Sequence, residues 1–136
     1  MDYTINLELG SLIFVVLSTA VLAFIVIYHN PSNFTNRLFS LLSLSFAIWA
    51  MVNYFSLHPP IGQNLFWIRL VLITAAPQAV LFALFMRAFP STKFEEIKKE
   101  FYIFAFFLVI QIYLSITPLV FEGISVVNGR VIPIIG

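Results

Sequence analysis

Arg69 is the residue most able to do chemistry, because it interrupts an otherwise uncharged apolar stretch, Leu65–Met86. A guanidinium near the centre of a membrane helix costs about 2.5–3.5 kcal/mol, and less near the helix ends. Two interpretations stay open. Arg69 extends to nearby headgroups, or it points between helices and joins a ligand site or a buried ion pair. Its first candidate ion partner is Glu8 and its second is Glu122.

Further polar residues are expected at the depth of Arg69 and at the same membrane face. The candidate ligand-binding residues are Arg69, Asn53, Tyr54, His58 and Glu8. Other polar residues of this face are Asn6, Gln63 and Asn64. Together these side chains predict a small extracytoplasmic pocket, and the alternative is ordinary polarity at helix ends.

The elements that must position these residues are four long apolar stretches. The chain is 61% hydrophobic and only 10% charged, whereas a soluble domain is about 25% charged. About 20 apolar residues suffice to cross a bilayer as a helix. We therefore predict an all-α membrane protein with four transmembrane helices in an up-down bundle, over about residues 9–28, 38–57, 65–88 and 94–121.

Turn and capping signals divide the helices. Asn36 is a candidate cap for the second helix, 58–62 predicts a tight turn, and 92–95 has the spacing of a capping box. At the C-terminus, Asn128-Gly129 between apolar runs is a strong hairpin signal. It predicts a short extracytoplasmic β-hairpin over residues 124–133.

The other polar residues inside the helices favour packing. Ser40, Ser43, Ala47 and Ala50 share one face of the second helix, as small residues do where helices approach closely. Interhelical hydrogen bonds average about 0.6 kcal/mol. Gln78 and Gln111 are therefore interpreted as packing residues.

Basic residues predict the orientation of the helices. The connections on one side contain five of them, Arg37, Arg87, Lys93, Lys98 and Lys99, whereas the opposite side has only Arg130. Because basic loops stay in the cytoplasm, the N-terminus is predicted outside and residues 87–100 inside. The expected location is the cell membrane.

Several classes of site are not indicated by the residues. There is no cysteine, so thiolate metal sites and disulfides are excluded. His29 and His58 fall on opposite faces, and Glu95-Glu96 are adjacent and solvated, so neither a metal cluster nor a catalytic carboxylate pair is formed. No basic face for nucleic acid is evident. We expect no catalytic residues, no metal, no cofactor and no enzyme activity in this chain.

A family resemblance rests on a series of local runs. These are Asn36-Arg37-Leu38-Phe39, Ala47-Ile48-Trp49-Ala50, Leu65-Phe66-Trp67-Ile68-Arg69-Leu70, Pro77 with Phe82 and Phe85, Thr117-Pro118-Leu119-Val120-Phe121, and Val126-Val127-Asn128-Gly129-Arg130. They resemble the N-terminal seven-helix sensor region of bacterial histidine kinases, of which this chain would be the first four helices.

The resemblance implies a signal-input module of a two-component system. The expected partners are the lipid bilayer, the remaining helices and a cytoplasmic output domain, and a homodimer stays open. No phosphoacceptor helix or ATP-binding domain is present in these 136 residues. The alternative function is a structural four-helix subunit that packs with partner helices and binds no ligand. A third function, one half of a transporter, has weaker support, because only the third helix has a clear central break.

Overall fold

Four long helices and two strands make up the structure, a computed structural model that describes residues 3–58, 63–89, 94–127 and 130–135. Their bounds are α1 Tyr3–His29, α2 Phe34–Leu57, α3 Asn64–Ala88, α4 Phe94–Ile116, β1 Phe121–Val127 and β2 Arg130–Ile135. The prediction of four helices is confirmed. The Asn128-Gly129 turn, the turn residues 59–62 and the start of the predicted capping box at 92–93 lie outside the described residues.

All four helices are long and apolar enough to cross a membrane. The apolar spans contain between 20 and 25 residues, which at 1.5 Å per residue gives roughly 30–38 Å of helix. The hydrocarbon core is about 30 Å thick. Large apolar side chains are exposed on every helix, among them Phe14, Phe46, Phe82 and Phe106. An apolar surface of this extent is suited to lipid, so the chain is a multi-pass membrane protein.

The helices begin earlier than the apolar stretches indicated. Helix α1 starts at Tyr3 and α2 at Phe34, because polar residues at helix ends extend the helix beyond its apolar part. The cap of α2 is Asn33, not Asn36. The Asn33 side chain accepts hydrogen bonds from the backbone N–H groups of Thr35 at 2.8 Å and Asn36 at 3.3 Å, which satisfies two of the free donors of the first turn.

Helix α4 ends at Ile116, so the prediction of a helix to residue 121 is wrong. The physical reason is Pro118, since proline disfavours helical backbone in the residue before it. Beyond this turn, β1 pairs with β2 in an antiparallel sheet, with Val127 opposite Arg130 and a register shift between Phe121 and Gly123. These strands extend beyond the predicted 124–133 at both ends.

The helices lie in a row in chain order. Helix α2 packs between α1 and α3, and α3 packs between α2 and α4. In the described part of the chain no substantial packing joins α1 to α4, so the row does not close into a compact bundle. Strand β1 also contacts α3. Short connections make neighbouring helices antiparallel. The contacts described in the next two paragraphs are consistent with this antiparallel order.

A cluster of buried apolar residues lies at one end of the row. Leu38, Leu84, Ala88 and Ile97 form this cluster, which we call the Ala88 cluster. It joins the start of α2, the end of α3 and the start of α4, where the basic connections lie. The hydroxyl of Thr35 donates a hydrogen bond to the carbonyl oxygen of Ala88 at 3.2 Å. We call this the basic end of the row and the other the Arg69 end.

Two polar contacts join helices farther along the row. The buried Ser40 hydroxyl donates to the carbonyl oxygen of Ala23 at 2.8 Å, which ties α2 to α1. The Gln78 side chain donates to the carbonyl oxygen of Ser45 at 3.4 Å, a long bond between α3 and α2. Ser40 and Gln78 therefore serve packing, as predicted.

Candidate functional site

Two separate grooves at the Arg69 end contain the predicted site residues. Glu8, Asn53 and Tyr54 line a groove between α1 and α2, and Glu8 also contacts His58. Arg69 lines another groove, beside α3 and α4. The single pocket expected from the sequence is thus divided, because the open row holds α1 and α4 apart.

The groove between α1 and α2, called the Glu8 groove, measures about 390 Å³. Its lining residues are Glu8, Ser11, Leu12, Val15, Trp49, Ala50, Asn53, Tyr54 and Leu57. This volume lies within the usual range for small ligands, about 300–1,000 Å³. Its polar side chains comprise a carboxylate, a hydroxyl, a carboxamide, a phenol and an indole.

An ion pair joins α1 to α2 at the edge of this groove. The Nε2 atom of His58 lies 3.6 Å from the Oε2 atom of Glu8, and the side chains are 37% and 57% exposed. The contact is ionic only when the imidazole is protonated, and it exceeds hydrogen-bond length. Glu8, the first candidate partner of Arg69, therefore lies next to His58.

The position of His58 follows from the end of α2. Its backbone N–H bonds to the Tyr54 carbonyl oxygen at 3.2 Å, so the chain leaves the helix at this residue. The imidazole packs on the Tyr54 ring with 4.8 Å between centroids. The aromatic contact holds the imidazole close to α1, where Glu8 lies.

Two lining residues with polar groups, Ser11 and Trp49, were not among the predicted site residues. The Ser11 hydroxyl donates to the Glu8 carbonyl oxygen at 2.8 Å. The indole nitrogen of Trp49 is buried and has no hydrogen-bond partner in the described part of the chain. The sequence feature that could have drawn attention to Trp49 is its position in the middle of a membrane helix, because tryptophan is usually found at the membrane–water interfaces.

The Arg69 groove measures about 370 Å³ and is almost wholly apolar. Its other lining residues are Leu65, Phe66, Leu70, Ile73 and Ile116. Arg69 is half-buried and also makes an interaction within the chain. The side chain of Glu122, the second candidate partner, lies outside the described residues.

The direction of α3 decides where the Arg69 side chain reaches. The helix starts at Asn64, so Arg69 is about 7.5 Å from its beginning at 1.5 Å per residue. Helical side chains lean toward the N-terminus, which here is the nearer end. The side chain is therefore directed toward the nearer end of α3, beside an apolar groove, and its Nε atom is buried.

The two grooves offer polar and apolar side chains that can contact a ligand. Among the described residues, no group of three or more His, Asp or Glu side chains could hold a metal ion. The sequence motifs do not supply a nucleophile with an adjacent base. Comparisons with protein-family models, with curated proteins and with solved structures found no match to this chain.

Proposed function

We propose that this chain is a membrane-embedded signal-input module of a histidine-kinase-type receptor. It receives an extracytoplasmic or intramembrane stimulus at the Arg69 end. The change in helix packing passes to the basic end and from there to a cytoplasmic output domain outside these 136 residues. The resemblance described above supplies the receptor class, and the two grooves supply the place of the stimulus.

The uneven packing along the helices is the observation that carries this proposal. At the basic end, Leu84, Ala88 and Ile97 are almost completely buried against one another. At the Arg69 end, two open grooves lie along the helices and no comparable cluster of buried side chains is found among the described residues. An exposed ion pair there adds only about 0–1 kcal/mol. A ligand can therefore change helix spacing at the Arg69 end at low cost. The ends of α2, α3 and α4 that share the Ala88 cluster then move together relative to α1.

The orientation and the hairpin are part of the same proposal. We place the Arg69 end outside the cytoplasm, because the basic residues gather at the other end. Strands β1 and β2, joined through Asn128-Gly129, then form an extracytoplasmic hairpin. The contact between β1 and α3 supports this position.

The form of the Arg69 groove suggests the class of stimulus. A cation at headgroup depth over apolar walls fits a single-chain anionic amphiphile, whose carboxylate or phosphate would bind the guanidinium. Its hydrocarbon chain would occupy the space between Phe66, Ile73 and Ile116. Dodecanoate is a simple probe of this class.

The test measures whether such a probe at one end moves the helices at the other. The chain has no cysteine, so Tyr28→Cys and Met86→Cys place two spin labels at exposed positions of the basic end. In liposomes, dodecanoate should shift the distance distribution between the labels, measured by double electron–electron resonance. Signalling requires two states that the ligand binds differently.

Arg69→Gln is the control for this experiment. It should remove the shift while membrane insertion stays intact, because the apolar helix is unchanged. An identical distance distribution with and without dodecanoate would contradict the sensor proposal.

A structural subunit is the second candidate, favoured by the small buried contacts between α1 and α2. Ser40 bonds to the carbonyl of Ala23, and both residues are almost fully buried. Such close contacts stabilise membrane helices without any ligand. For this function, the spin-label distances would not respond to dodecanoate.

A further inference from the structure

His58 lies between two oxygen atoms at the Arg69 end, one near each nitrogen of its imidazole ring. The Nδ1 atom is 3.3 Å from the Tyr54 carbonyl oxygen, and the Nε2 atom is 3.6 Å from Oε2 of Glu8. A carbonyl oxygen and an ionised carboxylate accept hydrogen bonds but do not donate them. A neutral imidazole has a single N–H group, so one of its nitrogen atoms then faces an oxygen with no proton between them. Only the imidazolium form has an N–H group for each oxygen.

The imidazole of His58 can exchange a proton with water. Its side chain is 37% exposed, and it packs on the Tyr54 ring with 4.8 Å between ring centroids. Among the other ionisable side chains described at this end, Arg69 lines the separate groove and Tyr113 belongs to α4, which packs on α3. Glu8 is therefore the charged group of α1 that faces the imidazole. Because histidine is the side chain that ordinarily changes charge between pH 5 and 8, the pH in this range decides whether the contact is ionic.

Helix α1 is held at the basic end by hydrogen bonds between groups that do not titrate. The Ser40 hydroxyl donates to the Ala23 carbonyl oxygen at 2.8 Å, and the Asn36 carboxamide donates to the Val26 carbonyl oxygen at 3.3 Å. At the Arg69 end, the polar contact between α1 and α2 is that of Glu8 with the imidazole. Glu8 is roughly 22 Å from Ala23 along α1, at 1.5 Å per residue. A change of protonation therefore acts on the end of α1 that these hydrogen bonds do not hold.

We propose that protonation of His58 closes the Glu8 groove and that loss of the proton opens it. The imidazolium donates to the Tyr54 carbonyl oxygen and to the Glu8 carboxylate, and so draws the start of α1 toward the end of α2. Both contacts are longer than a usual N–H···O distance of about 2.9 Å, so both can shorten. After deprotonation this attraction is lost, and the groove of about 390 Å³ widens. The switch needs only α1 and α2, so it is independent of the receptor function proposed above.

A distance across this end of the row tests the switch. The chain has no cysteine, so Leu7→Cys and Gln63→Cys place spin labels at exposed positions of α1 and at the start of α3. In liposomes, double electron–electron resonance should give a shorter mean distance at pH 5.5 than at pH 8. The ratio of closed to open populations should change by up to about fivefold, the range expected for an exposed ion pair.

Substitutions in this labelled background separate the switch from a general effect of pH. His58→Gln and Glu8→Gln should each remove the pH dependence, whereas His58→Arg should keep the short distance at both pH values, because arginine stays charged. His29→Gln is the matched control, since His29 is the other histidine of the chain and lies at the basic end, and it should leave the pH dependence unchanged. The proposal is wrong if the distance is the same at pH 5.5 and pH 8 without these substitutions, if the response survives His58→Gln or Glu8→Gln, or if it is lost in His29→Gln.

Discussion

At the scale of single residues, Arg69 and Glu8 differ in how far water screens the contacts of their charged groups. Glu8 and His58 are partly exposed and 3.6 Å apart, so their pair adds little stability. Arg69 lies half-buried over an apolar groove, where a bond to a carboxylate is less screened by water. We therefore expect the larger effect on ligand binding from Arg69.

The Arg69 prediction can be measured with Trp67, which lies two residues earlier on α3. In a Trp49→Phe background Trp67 is the only tryptophan, and a brominated fatty acid bound in the Arg69 groove should quench it. Arg69→Gln should raise the apparent Kd about tenfold or more, since a hydrogen bond to a charged group contributes about 1.5–3 kcal/mol.

Arg87→Gln is the matched control for Arg69→Gln. Arg87 is an exposed arginine at the other end of the same helix, and its ion pair with Glu100 is 3.7 Å long. The Kd should not change in this variant. Equal losses from both substitutions would show that general attraction of anions to the membrane surface, rather than the groove, produces the quenching.

At the scale of elements, the Ala88 cluster determines how α2, α3 and α4 meet. Leu84 is 1% exposed and belongs to this cluster together with Leu38, Ala88 and Ile97. Leu84→Ala should lower the free energy of unfolding by about 2–5 kcal/mol, because it leaves a cavity that the rigid helix ends fill only in part. Loss of helix during an SDS titration in mixed micelles, followed by circular dichroism, measures this change.

Phe82→Ala provides the comparison on the same helix. Phe82 is exposed, and lipid or detergent replaces its contacts in the folded state, so the loss should be much smaller. If the two variants were equally destabilised, the Ala88 cluster would not be the centre of packing.

At the scale of the whole molecule, the charge distribution predicts one orientation in the membrane. Five basic residues lie on one side and one on the other. In intact cells, a membrane-impermeant maleimide should label Gln63→Cys but not Lys99→Cys, since basic connections remain in the cytoplasm. Both native residues are exposed, so accessibility is comparable.

Asn30→Cys supplies an independent check, because Asn30 lies in the other connection at the basic end and is exposed. It should be labelled only after the membrane is opened, like Lys99→Cys. Labelling of both in intact cells, with Gln63→Cys protected, would reverse the orientation and place the grooves on the cytoplasmic side.

Helix number and class followed from the sequence alone, because the length of an apolar segment and the cost of unbonded backbone in lipid are local properties. Helix ends were less predictable. Asn33 is a recognisable helix-start signal and Pro118 a recognisable helix-end signal. However, Asn36 was also a candidate cap, and the apolar run of the fourth helix continues past Pro118.

The grouping of the site residues was decided only by the tertiary structure. The positions of Arg69 and Glu8 along their helices predicted that both lie at one membrane face. A position along a helix does not determine which neighbouring helix the side chain faces. The open row pairs Glu8 with His58 and places Arg69 beside α4. The same packing satisfies Gln78 and leaves Gln111 exposed. These differences depend on the rotation of each helix about its axis, which is determined by contacts between helices rather than by apolar length.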